Sequence, residues 1–245
     1  MKTLAVIYNH NLPELTDQLF ESLEAYRDDT YDLIIIDNGS APDGKSKYTT
    51  YETGQNVYFG GALNLAMQLF LENKEYDSLL SLNNDLILHG GNFVKAMRKV
   101  MFEQDYKIVS PCVLQPQKNQ CGWKYMHNWG ATEVRDVKWV DFQAPMLHRD
   151  VVEEINQFSN ELIYGWGQDV YSGIVCGQNN WKVGVLDWCP VIHYSGHTYK
   201  QEKSDLTLQE YCSNAEKNMF KFFESRNLFH IFNEYRTESS TYRYE

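Results

Sequence analysis

The chain has 245 residues, enough for one large domain or one domain with a small appendage, and enough to bury a substantial core without disulfides. Its composition, 43% hydrophobic and 14% aromatic, is that of a globular protein. The net charge of -11 excludes a general nucleic-acid binder, which needs clustered Lys and Arg to neutralise phosphates, but leaves room for a local site that holds one nucleotide.

Leu4 to Tyr8 is a short continuous apolar run, the pattern of a buried parallel strand. The whole run Met1 to Tyr8 is too short for the apolar core and cleavage site of a signal peptide. Asn9-His10-Asn11 breaks the strand, Pro13 suits the first turn of a helix, and Leu15, Leu19, Phe20 and Leu23 follow at helical spacing. Leu33 to Ile36 is a second buried strand, ended by Asp37-Asn38-Gly39-Ser40, and a polar loop is expected to Gly54. Gly60-Gly61 opens a second helix that carries Leu63, Met67, Phe70 and Leu71 on one face. Ser78 to Leu82 is a third strand, ended by Asn83-Asn84-Asp85. Gly90-Gly91 leads into a helix to about Phe102, and a fourth strand begins at Lys107 to Ser110.

This alternation predicts an α/β fold with a mostly parallel central sheet, right-handed crossovers and flanking helices. Ligands of such sheets bind beyond the carboxyl ends of the strands. Asn9, Asp37 and Asp85 stand at those ends and are expected to converge on one crevice.

The second half is less regular. Cys121 to Val140 reads as a hairpin and His148 to Phe158 as a helix. Gly165-Trp166-Gly167 reads as a turn, Val170 to Asn179 as a helix, Trp181 to Leu186 as a strand, and Pro190 as the start of an edge segment. One or two helices are expected over Asp205 to Tyr235, with a frayed end from Glu238 to Glu245. Five cysteines (Cys112, Cys121, Cys176, Cys189 and Cys212) without a C-x-x-C pair predict reduced thiols in a cytosol rather than a disulfide or zinc framework. No run of about 20 apolar residues is present to span a membrane. The Phe-rich stretch around Met219 to Phe232 holds interspersed Lys and Arg, which leaves peripheral membrane contact open, although packing onto the domain is the simpler expectation.

Each candidate site residue has a plainer alternative. Asp85 can hold a hard cation that binds phosphate oxygens, or can cap a turn. Asp37 can receive hydrogen bonds from a base or ribose, or close an Asx-turn. Gly60 and Gly61 can let a diphosphate approach a helix start, or simply pack closely, and they do not form the G-x-G-x-x-G dinucleotide fingerprint. In Tyr164-Gly165-Trp166-Gly167-Gln168-Asp169 a mobile loop can lay Trp166 over a sugar ring, with Asp169 behind it as a general base; otherwise Trp166 is core and Asp169 a cap. One of His193 and His197 can reach a metal. Trp123, Trp129 and Trp139 can offer a sugar-stacking surface, with at least two of them expected in the core.

Taken in order, these segments resemble the family 2 glycosyltransferases with the GT-A fold, especially their rhamnosyltransferase-like branch, over roughly residues 3 to 200. Tyr8-Asn9 resembles the end of that family's first strand, and Ile35 to Ser40 its V-D-N-G-S element. Asn56 to Asn64 resembles the N-x-G-F-G-G-x-N stretch, and Ser81 to Asp85 stands at the D-x-D metal motif. Trp139-Val140-Asp141-Phe142 through Arg149 is similar to the acceptor segment. Gln168-Asp169 takes the place of the Glu-Asp pair that ends in the catalytic base, and the preceding Gly-Trp-Gly is similar to the G-W-G-G-E-D of galactosyltransferases. Val191-Ile192-His193 resembles the late metal-binding His.

The resemblance implies a nucleotide-binding half (1–110), an acceptor half (111–200) and a C-terminal helical extension (201–245). It implies donor binding by Asn9, Asp37, Gly60, Gly61, Asn64, Asn84 and Asp85, and acceptor binding by Asp141, Trp166 and Gln168. Asp85 and His193 would hold Mn2+ or Mg2+, and Asp169 would be the base of an inverting transfer. The implied partners are a nucleotide-diphosphate sugar and a carbohydrate or lipid-linked carbohydrate. The implied setting is polysaccharide biosynthesis in the cytoplasm or at the inner face of the membrane. Three positions depart from the family pattern: Asn83 for the first acid of D-x-D, Gln168 for Glu, and Gln143-Ala144-Pro145 for the usual Gly-Ala of the acceptor segment. These departures leave a catalytically silent nucleotide-sugar or carbohydrate binder as an alternative. A sugar-nucleotide pyrophosphorylase is a further one, but Asn9-His10-Asn11-Leu12-Pro13 lacks the Gly- and Arg/Lys-containing loop such an enzyme carries after its first strand.

Overall fold

A computed structural model describes residues 1–114, 123–194 and 206–241, with side chains as far as residue 237. Among the described residues nine strands form one mixed sheet. The first four run in the order β3 (Tyr51–Glu52), β2 (Tyr31–Asp37), β1 (Lys2–Asn9) and β4 (Tyr76–Asn83), all parallel. Beyond β4 follow β8 (Met146–His148), β6 (Tyr106–Val113), β9 (Lys182–His193) and β5 (Leu86–Leu88), while β7 (Arg135–Val137) also pairs with β9. β8 is antiparallel to both β4 and β6, and β5 and β7 are antiparallel to β9. β1, β4 and β6 are buried almost throughout, as strands covered on both faces must be, and the polar Ser78, Ser81 and Ser110 are buried with them.

Helices flank the sheet. α1 (Pro13–Glu24) opens on Pro13, and α2 (Tyr58–Glu72) buries Ala62, Leu63, Ala66, Met67 and Phe70. α3 (Phe93–Glu103) is capped by Asn92, whose side chain accepts from the Lys95 N–H. α4 (Arg149–Ile155) and α5 (Gln168–Gln178) follow. α6 (Leu208–Ser225) starts in a Thr207/Glu210 capping box, and α7 (Phe229–Thr241) ends the described chain. Met219, Phe222, Phe223 and Phe232 of this last pair are buried, so the Phe-rich stretch is packed onto the domain. Among the described residues no helix is long and apolar enough to cross a membrane.

Several expectations need correction. No hairpin forms over the described part of 121–140, which holds a 3-10 turn at Lys124–Met126 and the single strand β7. Trp181–Leu186 and the segment from Pro190 are one strand, β9, because the chain bulges between them: Leu186 pairs with Pro111 but Val191 with Val113. The bulge has its own clasp. Asp187 accepts from the backbone N–H groups of Trp129 and Ala131 and pairs with Arg135 at 2.7 Å. The polar stretch before Gly54 includes β3, and α7 runs on to Thr241 where fraying is expected. Four cysteines are free thiols, and Cys121 lies outside the described residues.

Candidate active site

A cavity of about 530 Å³ opens beyond the carboxyl ends of β1 and β4. Asn9, Asn83, Asn84 and Asp85 reach it from those strand ends. The register explains why: Tyr8 pairs with Asn83, and Asn9 with Asp37, so three turns leave the sheet at one level.

Asp85 and His193 form one wall of the cavity. The His193 Nε2 lies 3.0 Å from Asp85 Oδ1, with both side chains largely buried. β5 and β9 impose this contact. Leu86 pairs with His193 across the antiparallel ladder, and the Tyr194 N–H donates to the Asp85 carbonyl. A carboxylate and an imidazole in contact at a cavity wall are a donor set that suits Mn2+ or Mg2+ together with a diphosphate. Among the described residues no third His, Cys, Asp or Glu joins them, so this pair fits a cation shared with a ligand better than a closed protein cage. His197 lies outside the described residues.

Asp169 lines the same cavity, second in α5. Gly165 and Gly167 bring it there, with φ of +94° and +88°, which L side chains rarely adopt. A Cβ on Gly167 would also meet Met219 and Phe223. Trp166 is held between them at the cavity rim, 39% exposed. The Asp169 carboxylate accepts from the Val170 N–H at 2.8 Å. Burial first, then the Asp141 carboxylate, push Asp169 up to about 7, against smaller opposing effects of the Val170 N–H and Arg236. Burial likewise raises Asp141, which is partly offset by His193 and by the Gln143 amide that donates to it at 2.7 Å. A carboxyl group poised near neutrality is suited to taking a proton from a hydroxyl.

Four candidate donor-site residues do not line the cavity. Asp37 is buried behind Asn9, accepting from the Asn9 amide at 2.8 Å and from the Ser40 N–H. In this arrangement it closes a turn, the plainer of its two sequence readings. Gly60 and Gly61 lie within the first turn of α2 and face protein. A Cβ on Gly60 would come within 2.6 Å of both Gln168 Nε2 and the Leu162 carbonyl, and one on Gly61 within 2.7 Å of Val57. Asn64 exchanges hydrogen bonds with the Phe158 backbone. The acceptor candidate Gln168 is also turned away: it is fully buried, and its amide donates to the Leu162 carbonyl. Gly60→Ala is therefore expected to overpack this contact and cost about 1–3 kcal/mol in a urea unfolding titration. Undiminished stability would show that the neighbours yield.

Other groups enter the site from places where the sequence offers little signal. His10 Nδ1 bonds to the Asn38 carbonyl at 2.8 Å, and Asn38 donates to Asn56, giving a polar wall behind the first strand. Tyr58, Tyr164 and Tyr211 cluster at the rim, with the Tyr58 and Tyr164 rings 4.5 Å apart. α6 and α7 supply Tyr211, Met219, Phe232 and Arg236. Of the three candidate stacking residues, Trp139 is buried, Trp123 lines the cavity beside it, and Trp129 is exposed under the Arg135 guanidinium.

No protein-family profile matches the chain, and no curated protein matches it. Solved structures do. GalNAc-T7 with UDP, GalNAc and Mn2+ superposes with a TM-score of 0.63 at 14% identity, over 93% of this chain and 50% of that one. This chain thus spans half the length of that protein. The mannosyltransferase PcManGT from Pyrobaculum calidifontis, in complex with GDP-Man and Mn2+, gives a TM-score of 0.58 at 10% identity, over 100% of this chain and 76% of the other. Residues 1–349 of TarS from S. aureus, in complex with UDP, give 0.58 at 12% identity, over 91% and 72%. At such identities the likeness establishes the fold: a mostly parallel α/β sheet flanked by helices, as in GT-A glycosyltransferases.

Proposed function

We propose that this protein is a glycosyltransferase that moves a sugar from a nucleotide-diphosphate donor to a hydroxyl of a carbohydrate or lipid-linked carbohydrate, by direct displacement with inversion. One observation carries the reading. A single cavity, in a fold shared with enzymes solved with UDP or GDP-Man, has the Asp85–His193 pair on one wall and the near-neutral Asp169 on another.

The donor's diphosphate lies against Asp85 and His193 in this reading. A divalent cation held by these two residues would supply charge compensation for a diphosphate leaving group. The polar wall of His10, Asn38 and Asn56 serves the nucleoside end. Trp166 covers the sugar from the rim, and Asp141 borders the reacting centre beside Asp169. Asp169, ionised, accepts the proton of the acceptor hydroxyl as its oxygen attacks the anomeric carbon, and the donor's sugar–phosphate bond breaks on the opposite side. Positioning and proton removal of this kind contribute about 10²- to 10⁴-fold in rate. Surface-polysaccharide assembly in the cytoplasm, at the inner membrane face, is the setting that the sequence resemblance suggests.

A thermal-shift panel of nucleoside diphosphates and their sugars, with and without Mn2+, tests the reading. A ligand at about 100 times its Kd stabilises the folded state by about 2.7 kcal/mol, roughly 5–10 °C for a chain of this size. A metal-dependent rise with one base is expected. No rise with any base in the presence of Mn2+ would remove the donor assignment. Release of nucleoside diphosphate from the sugar that binds then separates an enzyme from a silent binder.

A further inference from the structure

We propose that the acceptor carries an oxyanion, a carboxylate or a phosphate, and that Arg236 of the C-terminal helix recognises it. The inference rests on the transferase reading for the word acceptor, but the anion site stands on its own observations.

Arg236 is the only Lys or Arg among the described residues lining the cavity, where three carboxylates (Asp85, Asp141 and Asp169) are found. Its guanidinium lies over two aromatic faces, 5.5 Å from the Trp123 ring centre and 5.3 Å from that of Phe232. Cation–π contacts of this kind orient a guanidinium but leave its N–H groups free for an acceptor in the ring plane. Among the described residues no carboxylate or carbonyl forms an ion pair or hydrogen bond with it. Among the described residues its five N–H donors therefore meet no carboxylate or carbonyl in a partly desolvated cavity, and a carboxylate or phosphate offers them two oxygens at a time.

Its place in the cavity says which substrate would bring that oxyanion. Arg236 lines the same cavity as Asp169 and its charge acts on the Asp169 carboxyl, so it stands in reach of the group assigned to the acceptor hydroxyl. An anion there lies on the acceptor side. Arg236 also comes from α7, outside the segments that hold the donor-site residues, so it can vary with the acceptor without disturbing the donor.

The test uses the full chain loaded with Mn2+ and the nucleoside diphosphate that the thermal-shift panel selects. Three probes of matched size are titrated by calorimetry: methyl glucoside, methyl glucuronide and glucose 6-phosphate. At least tenfold tighter binding of one charged probe than of methyl glucoside is expected, and which one it is distinguishes a carboxylate from a phosphate. Arg236→Gln is expected to abolish the preference and Arg236→Lys to keep part of it, with circular dichroism melts showing both variants folded. Equal or undetectable binding of charged and neutral probes, or a preference that survives Arg236→Gln, overturns the proposal. So does a tenfold loss of nucleoside diphosphate affinity in Arg236→Gln, which would place the guanidinium on the donor. If no nucleoside diphosphate binds, the transferase reading fails by that measurement; the probes are then titrated with Mn2+ alone, and Arg236-dependent anion binding still decides the site.

Discussion

Asp169→Asn is expected to lower turnover at least about a hundredfold while leaving nucleoside diphosphate affinity within a factor of two or so. The amide keeps the shape of the side chain and loses the basic oxygen pair. The pH dependence follows from the same group. Below about 7 the carboxyl holds its proton and cannot accept another, so kcat/KM falls about tenfold per unit as pH drops, and it levels off above that value. Stability carries the opposite sign. Because the folded-state value is raised above the ordinary 3.8, the unfolded chain releases this proton first. Stability is therefore greatest below that ordinary value, declines as pH rises toward about 7, and stays reduced above it. A neutral amide escapes that decline. The variant should melt several degrees higher than the parent at pH 8 and at nearly the same temperature at pH 4. A residue that served only as a helix cap would show neither the loss of turnover nor this gain. Turnover within tenfold of the parent would dismiss Asp169 as the base.

The second large effect concerns the Asp85–His193 pair. Asp85→Ala and His193→Ala are each expected to weaken Mn2+-dependent binding of the nucleoside diphosphate at least about tenfold, since even outer-shell changes around a bound metal cost 10- to 100-fold. Binding without metal should hardly change. The two losses should not add in the double variant, because either one spoils the same coordination. The strand pairing itself does not depend on the Asp85 side chain: it is the Asp85 carbonyl that accepts from Tyr194. Unchanged affinity in the presence of Mn2+, measured by calorimetry, would remove the metal role from the pair.

Much of the frame was legible because its signals are local. Leu4–Tyr8 and Leu33–Ile36 are continuously apolar, Ser78–Leu82 is rich in Leu, and each lies within an observed strand. Polar residues at the ends of such strands point to a crevice before any coordinates exist. What was not legible depends on long-range pairing. β5 is three residues, Leu86–Leu88, and becomes a strand only because β9 lies alongside. β8 is equally short and is inserted between β4 and β6. The bulge in β9 makes one strand look like two in the sequence.

Near the site, Gly60, Gly61, Asn64 and Gln168 form a suggestive sequence pattern, yet Gly60 and Asn64 pack α2 against the 158–168 segment, Gly61 packs against Val57, and the Gln168 amide is held by the Leu162 carbonyl. Sequence spacing cannot show which face of a helix start meets protein and which meets a ligand. Arg236 gave no signal at all. Its role follows from where α7 docks, and a lone Arg on an amphipathic helix ordinarily faces water.

The pairing of Leu86 with His193 has a consequence for how the protein becomes active during folding. The contact joins β5 to the end of β9, more than a hundred positions apart, at the outer end of the sheet, where the three-residue β5 is held from a single side. Such pairings form late, after the loop-closure entropy of the intervening chain has been met, and they open first when a native sheet frays. In the proposed reading, the β1–β2–β4 half would assemble before Asp85 and His193 meet, and this pair would be the last part of the site to form. Donor and metal, by bridging the two strands, would act as a latch on the weakest edge of the sheet and draw the last step of folding to completion.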